Sequence, residues 1–278
     1  MGPETITSSS NRRIQRLRAL MRRSPLDGDA LAVVEGPKLV REACGSGLEV
    51  EEILVASSKL AAFREEDWPE TTGADLCGVS DRLLHSLSDT VTSQGVVAVV
   101  RMPAAPLDSL LTGGEPLLLV AHQVQDPGNL GTLARSAEAF GATALLLTTR
   151  TVSPLNPKAI RASAGSLFRL PIAGPLAPAS LAARLRRSRI RLMAAVPDGK
   201  TDFREADYRG GLALAVGSEG GGIPPGLGAF DDEIRVPTAK EVDSLNVAAA
   251  AAIVLCEAAR QRDCRENFTQ STGPGQAL

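Results

Sequence analysis

The sequence is poor in histidine, cysteine and aromatic residues, and it contains no long apolar run. Its two His and four Cys include no closely spaced cysteine pair, so neither a metal site nor a disulfide framework is expected. The longest apolar run is about half of the ~20 residues that a membrane-spanning helix needs. The first ten residues have neither a basic start nor an apolar core, which argues against a secretory signal and predicts a cytoplasmic protein.

Positive charge is concentrated in two short segments, although the net charge of the chain is −2. Between Asn11 and Arg23, apolar residues recur at helical spacing and no acidic residue interrupts the arginines, which predicts an amphipathic basic helix. A second cluster lies between Arg184 and Arg191. Each cluster is either a solvated helix face or a surface for an anionic partner such as RNA. The arginines of the first cluster are Arg12, Arg13, Arg16, Arg18, Arg22 and Arg23.

The first hundred residues predict a small α/β sandwich, because strand-like runs alternate with short helical segments. The predicted strands are 30–34, 52–56, 74–79 and 96–100, and the predicted helices are 36–43, 59–66 and 81–87. From Met102 to Pro116, three prolines and two adjacent glycines replace this pattern. That composition predicts a linker.

The second half predicts a parallel sheet with helices between its strands. Short apolar runs, typical of strands buried on both faces, recur from Leu117 onwards. The predicted strands are 117–120, 144–147, 191–196, 212–216 and 231–236, and the predicted helices are 130–140, 157–164 and 179–187. In such a sheet, a ligand is expected at the carboxyl ends of the strands.

A further helix is predicted after Ser244. Every residue from Val247 to Cys256 is apolar, so we expect this helix to be buried on every side, within one chain or between two copies. Asp243 or Ser244 stands where the N-cap of the helix is expected.

Three polar clusters lie at predicted strand ends. Arg135 points away from the apolar face of the helix 130–140, and a glycine-rich loop from Gly217 to Gly226 allows backbone amides to approach a ligand closely. Ser244 and Asn246 form the third cluster. Taken alone, these features are also compatible with a surface arginine, a turn and helix caps. The GxGxxG fingerprint of a dinucleotide-binding enzyme is absent.

Three stretches resemble, in order, the signature motifs of the SpoU (TrmH-like) family of S-adenosylmethionine-dependent RNA ribose methyltransferases, in the SPOUT superfamily. They are DPGNLGTLAR at 126–135, VGSEG at 216–220, and IRVP at 234–237 with SLNV at 244–247. The similarity extends from Leu117 to about Arg262. Residues 11–100 resemble, less sharply, the substrate-binding domain of ribosomal-RNA members, at Glu35-Gly36 and at Gln94–Val96.

The resemblance implies an α/β protein with a mostly parallel C-terminal sheet, helices on both of its faces and a deep trefoil knot, which is a rare exception to unknotted topology. A small α/β sandwich precedes this domain. The implied division is an RNA substrate-binding domain with a basic N-terminal helix at 1–102, a linker at 103–116, a methyltransferase domain at 117–265 and a flexible tail at 266–278. The family works as a homodimer through its C-terminal domain.

The resemblance also implies the site. Arg135 matches the catalytic arginine; because a guanidinium stays protonated, we expect it to hold the target phosphate and stabilise an alkoxide. Asn129 and Glu219 would position Arg135 and the ribose, with Ser244 and Asn246 in the same pocket. The implied cofactor is S-adenosylmethionine, and its predicted contacts are Gly217, Val236 and Leu245. RNA is expected on Arg12, Arg13, Arg16 and Arg18, and no metal or membrane partner is expected.

Ribosomal RNA is the preferred substrate because of the additional N-terminal domain, and transfer RNA is the alternative. Aromatic residues are only 3% of the chain, so recognition should depend on RNA shape and arginine contacts more than on base stacking. A non-catalytic RNA-binding protein on the same scaffold is a second alternative, which a failure to bind the cofactor would favour.

Overall fold

A computed structural model describes residues 5–22, 30–66, 68, 73–87, 93–217, 223, 226–240, 242 and 244–262. The chain divides into two compact units. The first consists of Met1–Pro103 with Ser153–Arg169, and the second of Ala104–Val152 with Leu170–Leu278. In the described ranges, no helix is long and apolar enough to cross a membrane.

The described elements alternate between helix and strand along most of the chain. The helices are α1 (Arg12–Arg22), α2 (Pro37–Gly45), α3 (Leu60–Glu65), α4 (Asp81–His85), α5 (Leu107–Leu111), α6 (Pro127–Ala139), α7 (Pro157–Ser163), α8 (Ser166–Arg169), α9 (Pro178–Arg187) and α10 (Val247–Gln261). The strands are β1 (Leu31–Glu35), β2 (Val50–Ala56), β3 (Asp75–Val79), β4 (Val96–Arg101), β5 (Leu117–Ala121), β6 (Ala144–Thr148), β7 (Ile172–Leu176), β8 (Arg191–Ala195), β9 (Thr201–Asp202), β10 (Leu212–Val216) and β11 (Asp232–Arg235).

The first unit is built on a four-stranded sheet with the order β1-β4-β2-β3. Strand β4 is antiparallel to β1 and β2, whereas β2 and β3 are parallel. The amphipathic helix predicted at 11–23 is α1, and its apolar residues Ile14 and Leu17 are fully buried against this sheet. The apolar spacing therefore predicted both the helix and its buried face.

The second unit contains a seven-stranded sheet with the order β7-β6-β5-β10-β8-β11-β9, in which every described pair of strands is parallel. Strands β5 and β10 lie in its centre and are buried along their whole length. Helices α5 and α9 pack on one face of the sheet, and α6 and α10 pack against each other and contact β5 and β8. The predicted parallel α/β architecture is confirmed.

The segment predicted as a linker contains helix α5. Leu107 and Leu111 of this helix are buried in the core of the second unit, so this part of the predicted linker forms a helix that the sequence analysis did not predict. Strands β7 and β9 and helix α8 were not predicted. In β7 the signal was hidden by Gly174, whose Cα approaches the carbonyl oxygen of Leu147 so closely that a Cβ would lie 2.6 Å from it.

Helix α10 is buried on one side only. Ala251, Val254 and Leu255 are buried, whereas Ile253 is 36% exposed and Cys256 is also exposed. Burial on every side within one chain was therefore a wrong expectation. An apolar stripe along the helix remains uncovered within the described part of a single chain.

Candidate active site

Helix α6 carries the first group of predicted site residues. It begins at Pro127, and the carboxylate of Asp126 caps it by accepting a 2.8 Å hydrogen bond from the backbone N–H of Asn129. Proline at the first helical position after an aspartate cap is a favourable helix start. The helix therefore starts three residues before the predicted Leu130. This places Asn129 in the first turn of the helix and not in a preceding loop.

Arg135 lies on the solvent side of α6. Leu133 and Ala134 beside it in sequence are fully buried, while Arg135 is exposed, as the helical periodicity predicted. Among the residues that the structure describes, none forms a hydrogen bond or an ion pair with its guanidinium. A planar, permanently charged donor in this state can bind a phosphate or a developing oxyanion.

Asn246 connects the starts of two helices. Its side-chain oxygen caps α10 by accepting hydrogen bonds from the backbone N–H groups of Ala248 (2.9 Å) and Ala249 (3.3 Å). Its amide nitrogen donates a 2.9 Å hydrogen bond to the side-chain oxygen of Asn129. Two predicted site residues that are far apart in sequence are thus brought into direct contact.

The expected N-cap of α10 was wrong. Ser244 is exposed and lies three residues before the first residue of the helix, Val247, and Asp243 lies outside the described residues. Asparagine caps helices as well as aspartate or serine does, so Asp243, Ser244 and Asn246 were candidate caps of similar strength. The contact with Asn129 distinguishes Asn246 from the other two, and only the fold reveals it.

The predicted cofactor residues lie at the carboxyl edge of the parallel sheet. Gly217 follows β10, which is beside β5, and the backbone N–H of His122 donates a 2.9 Å hydrogen bond to the carbonyl oxygen of Val216. Val236 follows β11, and Leu245 is 36% exposed in the loop before α10. Within the described chain, the backbone groups of Val236 and Leu245 form no hydrogen bond.

These residues fit an adenine-containing cofactor. Adenine is bound by backbone donors and acceptors together with apolar side chains that cover its ring, and both are available at Val236 and Leu245. Gly217 has no Cβ, so a ligand can approach the backbone closely at the end of β10. Glu219 and residues 220–222, which follow it in the sequence, lie outside the described residues.

The arginines of α1 have two different environments. Arg13 forms ion pairs with Glu52 and with Asp75, the latter at 3.0 Å. Arg16 pairs with Glu51 at 2.5 Å. The helix itself contains no acidic residue, but strands β2 and β3 provide the acidic partners. The sequence pattern did not indicate that these strands lie beside the helix. Arg12 and Arg18 form no such pair within the described residues.

The second arginine cluster has structural contacts. Arg184 pairs with Asp108 at the side of α5, and Arg191 donates a 2.9 Å hydrogen bond to the carbonyl oxygen of Asp207. For these two residues the structure favours the reading of a solvated face held by local partners. No group of three or more metal-binding side chains occurs among the residues that the structure describes.

One buried polar cluster was not anticipated. His122 is fully buried directly after β5, and its Nδ1 lies 3.0 Å from the hydroxyl of Thr148 at the end of β6. The same hydroxyl accepts a 3.2 Å hydrogen bond from the backbone N–H of Gln123. A single histidine after an apolar strand gives no distinctive sequence signal. The cluster fixes the loop that leads into α6.

Comparisons with known proteins agree with this arrangement. Residues 116–256 match the model of the SpoU rRNA Methylase family, and residues 11–98 match the MRM3-like substrate binding domain. The chain belongs to the SpoU rRNA methylase family. The family predicted from the motifs is therefore confirmed, and so are its enzyme class, an RNA 2′-O-ribose methyltransferase, and its cofactor, S-adenosylmethionine.

Family relatives resemble the chain over nearly its whole length. The 23S rRNA (guanosine(2553)-2′-O)-methyltransferase RlmP of Bacillus subtilis is 32% identical over 251 residues, which are 90% of this chain and 97% of the relative. A crystal structure of an RNA 2′-O ribose methyltransferase has a TM-score of 0.76 at 32% identity, covering 93% of this chain and 99% of its own. An AdoMet-bound rRNA methyltransferase from Sinorhizobium meliloti has a TM-score of 0.78 at 27% identity, covering 92% and 97%.

Proposed function

We propose that this SpoU methylase transfers a methyl group from S-adenosylmethionine to the 2′-hydroxyl of one ribose in 23S ribosomal RNA. The hydrogen bond between Asn129 and Asn246 carries the proposal, because it joins the first and third motifs near the carboxyl edge of the sheet. The relatives named for 23S rRNA, which the chain matches over 80% to 97% of their length, support ribosomal over transfer RNA.

Arg135 would serve the reaction by electrostatics. A ribose hydroxyl is a weak nucleophile, so its reaction needs negative charge on the oxygen to be stabilised as the proton leaves. A guanidinium does not act as a base at ordinary pH, but that of Arg135, which has no partner among the described residues, can hold the adjacent phosphate and the developing alkoxide. Asn129, kept in one orientation by Asn246, would align the ribose, with Glu219 and Ser244 in the same site.

The cofactor would be held by Gly217, Val236 and Leu245, and its sulfonium supplies an electrophilic methyl group. Leu245 would cover the adenine ring with its exposed side chain, while the backbone groups of Val236 and Leu245, which form no hydrogen bond among the described residues, would pair with the ring edge. Backbone pairing depends on the path of the loop more than on its side chains. A trefoil knot formed by the C-terminal part of the chain would fix that path.

The close approach of two segments supports the knot. Arg235 of β11 donates 2.7 Å hydrogen bonds to the carbonyl oxygens of Gly199 and Lys200. A Cβ at Gly199 would lie 2.6 Å from the carbonyl oxygen of Ile234, so these segments pass each other at backbone contact. Pulling both ends of the chain apart tests the knot, because a knotted chain reaches a shorter final length than an unknotted one.

The working form would be a homodimer that buries the exposed stripe of α10. Ile253 and Cys256 lie on this stripe, and the alanines around them allow a second helix to approach closely. In the first unit, Arg12 and Arg18 would contact RNA phosphates directly, whereas Arg13 and Arg16 would do so while they remain paired with acidic residues.

A substrate in ribosomal RNA also implies that the protein acts in the cytoplasm.

The proposal is tested by methylation of RNA in the cell. Ribose methylation is mapped along ribosomal and transfer RNA from cells with and without the gene, and the purified protein is then incubated with the unmodified RNA and labelled S-adenosylmethionine. We expect one 2′-O-methyl group in 23S rRNA to depend on the gene. Loss of a methyl group from transfer RNA would favour the alternative substrate, and cofactor-free RNA binding would favour a non-catalytic protein.

A further inference from the structure

Arg150 stands out among the residues at the carboxyl edge of the parallel sheet. It follows β6 in the turn that the backbone N–H of Thr151 closes on the carbonyl oxygen of Thr148, at 3.2 Å. Its φ is +71°, a value at which turns normally carry glycine or asparagine. A residue with a long side chain is strained there, and such strain is concentrated at functional sites.

The turn around Arg150 is fixed from both sides. On one side, the backbone N–H of Thr149 donates a 2.8 Å hydrogen bond to the carbonyl oxygen of Leu176 at the end of β7. On the other side, the hydroxyl of Thr151 donates a 3.0 Å hydrogen bond to the carbonyl oxygen of Ala121. These bonds keep the backbone of Arg150 in one conformation, so its side chain starts from a defined position.

The same turn is tied to the loop that leads into α6. The backbone N–H of Val152 donates a 2.8 Å hydrogen bond to the carbonyl oxygen of Val124, and Gln123 contacts the hydroxyl of Thr148. Gln123 also has a positive φ, of 56°. Two strained residues thus lie on adjacent loops of the sheet edge, just before the helix that carries Asn129.

The guanidinium of Arg150 is exposed and has no partner in the described chain. Most arginines described in the second unit bind a carboxylate or a backbone carbonyl of the same unit. Those without such a partner are Arg135, Arg150, Arg187 and Arg189. Arg187 and Arg189 precede β8 and therefore lie at the amino edge of the parallel sheet, whereas Arg150 lies at the carboxyl edge.

We propose that Arg150 is an RNA-binding residue of the catalytic unit and that its guanidinium binds a backbone phosphate beside the target nucleotide. A guanidinium matches a phosphate with two parallel hydrogen bonds, and the fixed turn would hold it ready at the edge where the reaction takes place. This proposal rests on the proposed function, because it needs an RNA substrate at that edge.

Arg150→Gly tests the proposal, with Arg189→Gly as its matched control. Arg189 is also exposed and unpaired within the described residues, and it also has a positive φ, of 56°, but it ends helix α9 at the opposite edge. Glycine adopts a positive φ without steric cost, so both variants should keep the wild-type melting temperature or exceed it. Any difference in RNA binding between the two variants then arises from the edge of the sheet at which the missing guanidinium lay.

The measurements use the full chain and an unmodified 23S rRNA transcript. For Arg150→Gly we expect about a tenfold loss of RNA affinity and a similar rise in the KM for RNA. The slope of log affinity against log salt should fall by about one. The kcat at saturating RNA and the calorimetric Kd for S-adenosylmethionine should stay unchanged, and Arg189→Gly should match the wild type throughout.

Two outcomes would overturn the role of Arg150. One is an RNA affinity and a KM of Arg150→Gly equal to those of the wild type; the other is weaker cofactor binding by Arg150→Gly with unchanged RNA affinity, which would assign the residue to the cofactor. A wild-type protein that binds the transcript without methylating it would instead refute the proposed function. In that case the affinity comparison still tests Arg150 as an RNA contact.

Discussion

The amide nitrogen of Asn246 donates a 2.9 Å hydrogen bond to the amide oxygen of Asn129, across a sequence separation of 117 residues. The oxygen of Asn246 is already used to cap α10, so its nitrogen is the group left to face Asn129. The bond therefore favours the orientation in which the Asn129 amide oxygen faces Asn246. The start of α10 and the start of α6 are held together by one side chain.

The variant Asn246→Asp tests the hydrogen bond to Asn129 separately from the capping of α10. Aspartate caps a helix as well as asparagine does, but its carboxylate cannot donate a hydrogen bond and would accept one from Asn129. We expect the Asn129 amide to turn over and kcat to fall at least tenfold, with the melting temperature little changed. Asn246→Ala should lose both functions and about 1 kcal/mol of stability. Full methyl transfer by Asn246→Asp would show that the connection is dispensable.

Arg135→Ala should abolish methyl transfer without affecting the fold or cofactor binding. The side chain is exposed and unpaired within the described residues, so removing it breaks no structural contact, whereas loss of one oxyanion-stabilising donor costs about 10²–10³ in kcat. Thermal unfolding, calorimetry with S-adenosylmethionine and a labelled-methyl assay measure the three quantities. Arg187→Ala is the control, and equal activity of the two variants would remove Arg135 from the mechanism.

Residue periodicity predicted most of the elements, because it depends on contacts within each element. The buried face of α6 and the exposure of Arg135 follow from helical spacing alone, and the parallel sheet follows from apolar runs such as Leu117–Ala121. Contacts between distant segments gave no such signal. The acids that pair with Arg13, and the contact that makes Asn246 the helix cap, depend on which elements the fold brings together.

Helix α5 and strand β7 were missed for a related reason. From Met102 to Pro116, proline and glycine were taken as signs of a linker, but tertiary contacts stabilise a helix there. Leu107 and Leu111 anchor α5 in the core despite the surrounding prolines. In β7, Gly174 is needed because a side chain would collide with the backbone of the neighbouring strand.

The arginines of α1 should divide into a pair that contributes most of the RNA affinity, Arg12 and Arg18, and a pair whose main contribution is to stability, Arg13 and Arg16. Arg12 and Arg18 have no acidic partner in the described chain, so Arg12→Gln with Arg18→Gln should weaken RNA binding and lower the salt slope by about two. Removing Arg13 leaves the buried carboxylate of Glu52 without its partner, which should cost about 1–3 kcal/mol of stability. Chemical denaturation and filter binding measure these effects. Equal loss of RNA affinity from both pairs would contradict the division.

Glu257 should make the protein less stable in acid. Its carboxylate accepts hydrogen bonds from Arg260 at 2.7 Å and from Gln261 at 3.0 Å, and the hydrogen bonding by Arg260 lowers the pKa of Glu257 to about 2. An unfolded glutamate titrates near pH 4.3. Because the pKa is lower in the folded state, the stabilisation is complete above about pH 4.3 and is lost as the pH falls towards 2.

The variant Glu257→Gln should therefore flatten the dependence of the melting temperature on pH in that interval. The substitution should also weaken the attachment of the segment before β10. Gln261, which donates to Glu257, also donates a 2.9 Å hydrogen bond to the carbonyl oxygen of Ala206 in that segment. Melting curves of the two proteins should converge near pH 2. A constant difference between them at every pH would mean that the charge of Glu257 does not contribute.

Ile253→Glu tests whether the exposed stripe of α10 is a subunit interface. Ile253 is 36% exposed in the single chain, on a helix whose opposite side packs against α6. A charge placed in a dry helix interface would have to be buried without a partner, at a cost of several kcal/mol. The variant should therefore sediment as a monomer, whereas Ala183→Glu, on the exposed side of α9, should not change the mass.

The activity of the monomeric variant then shows whether the interface only holds two subunits together or also completes the RNA site. The N-terminal end of α10 is fixed by Asn246 within the chain, so a monomer that keeps its melting temperature and binds S-adenosylmethionine would retain a formed cofactor site. If that monomer has lost methyl transfer, the second subunit completes the RNA site. A wild-type protein that sediments as a monomer would remove the proposed dimer, and the apolar stripe would then require a different partner.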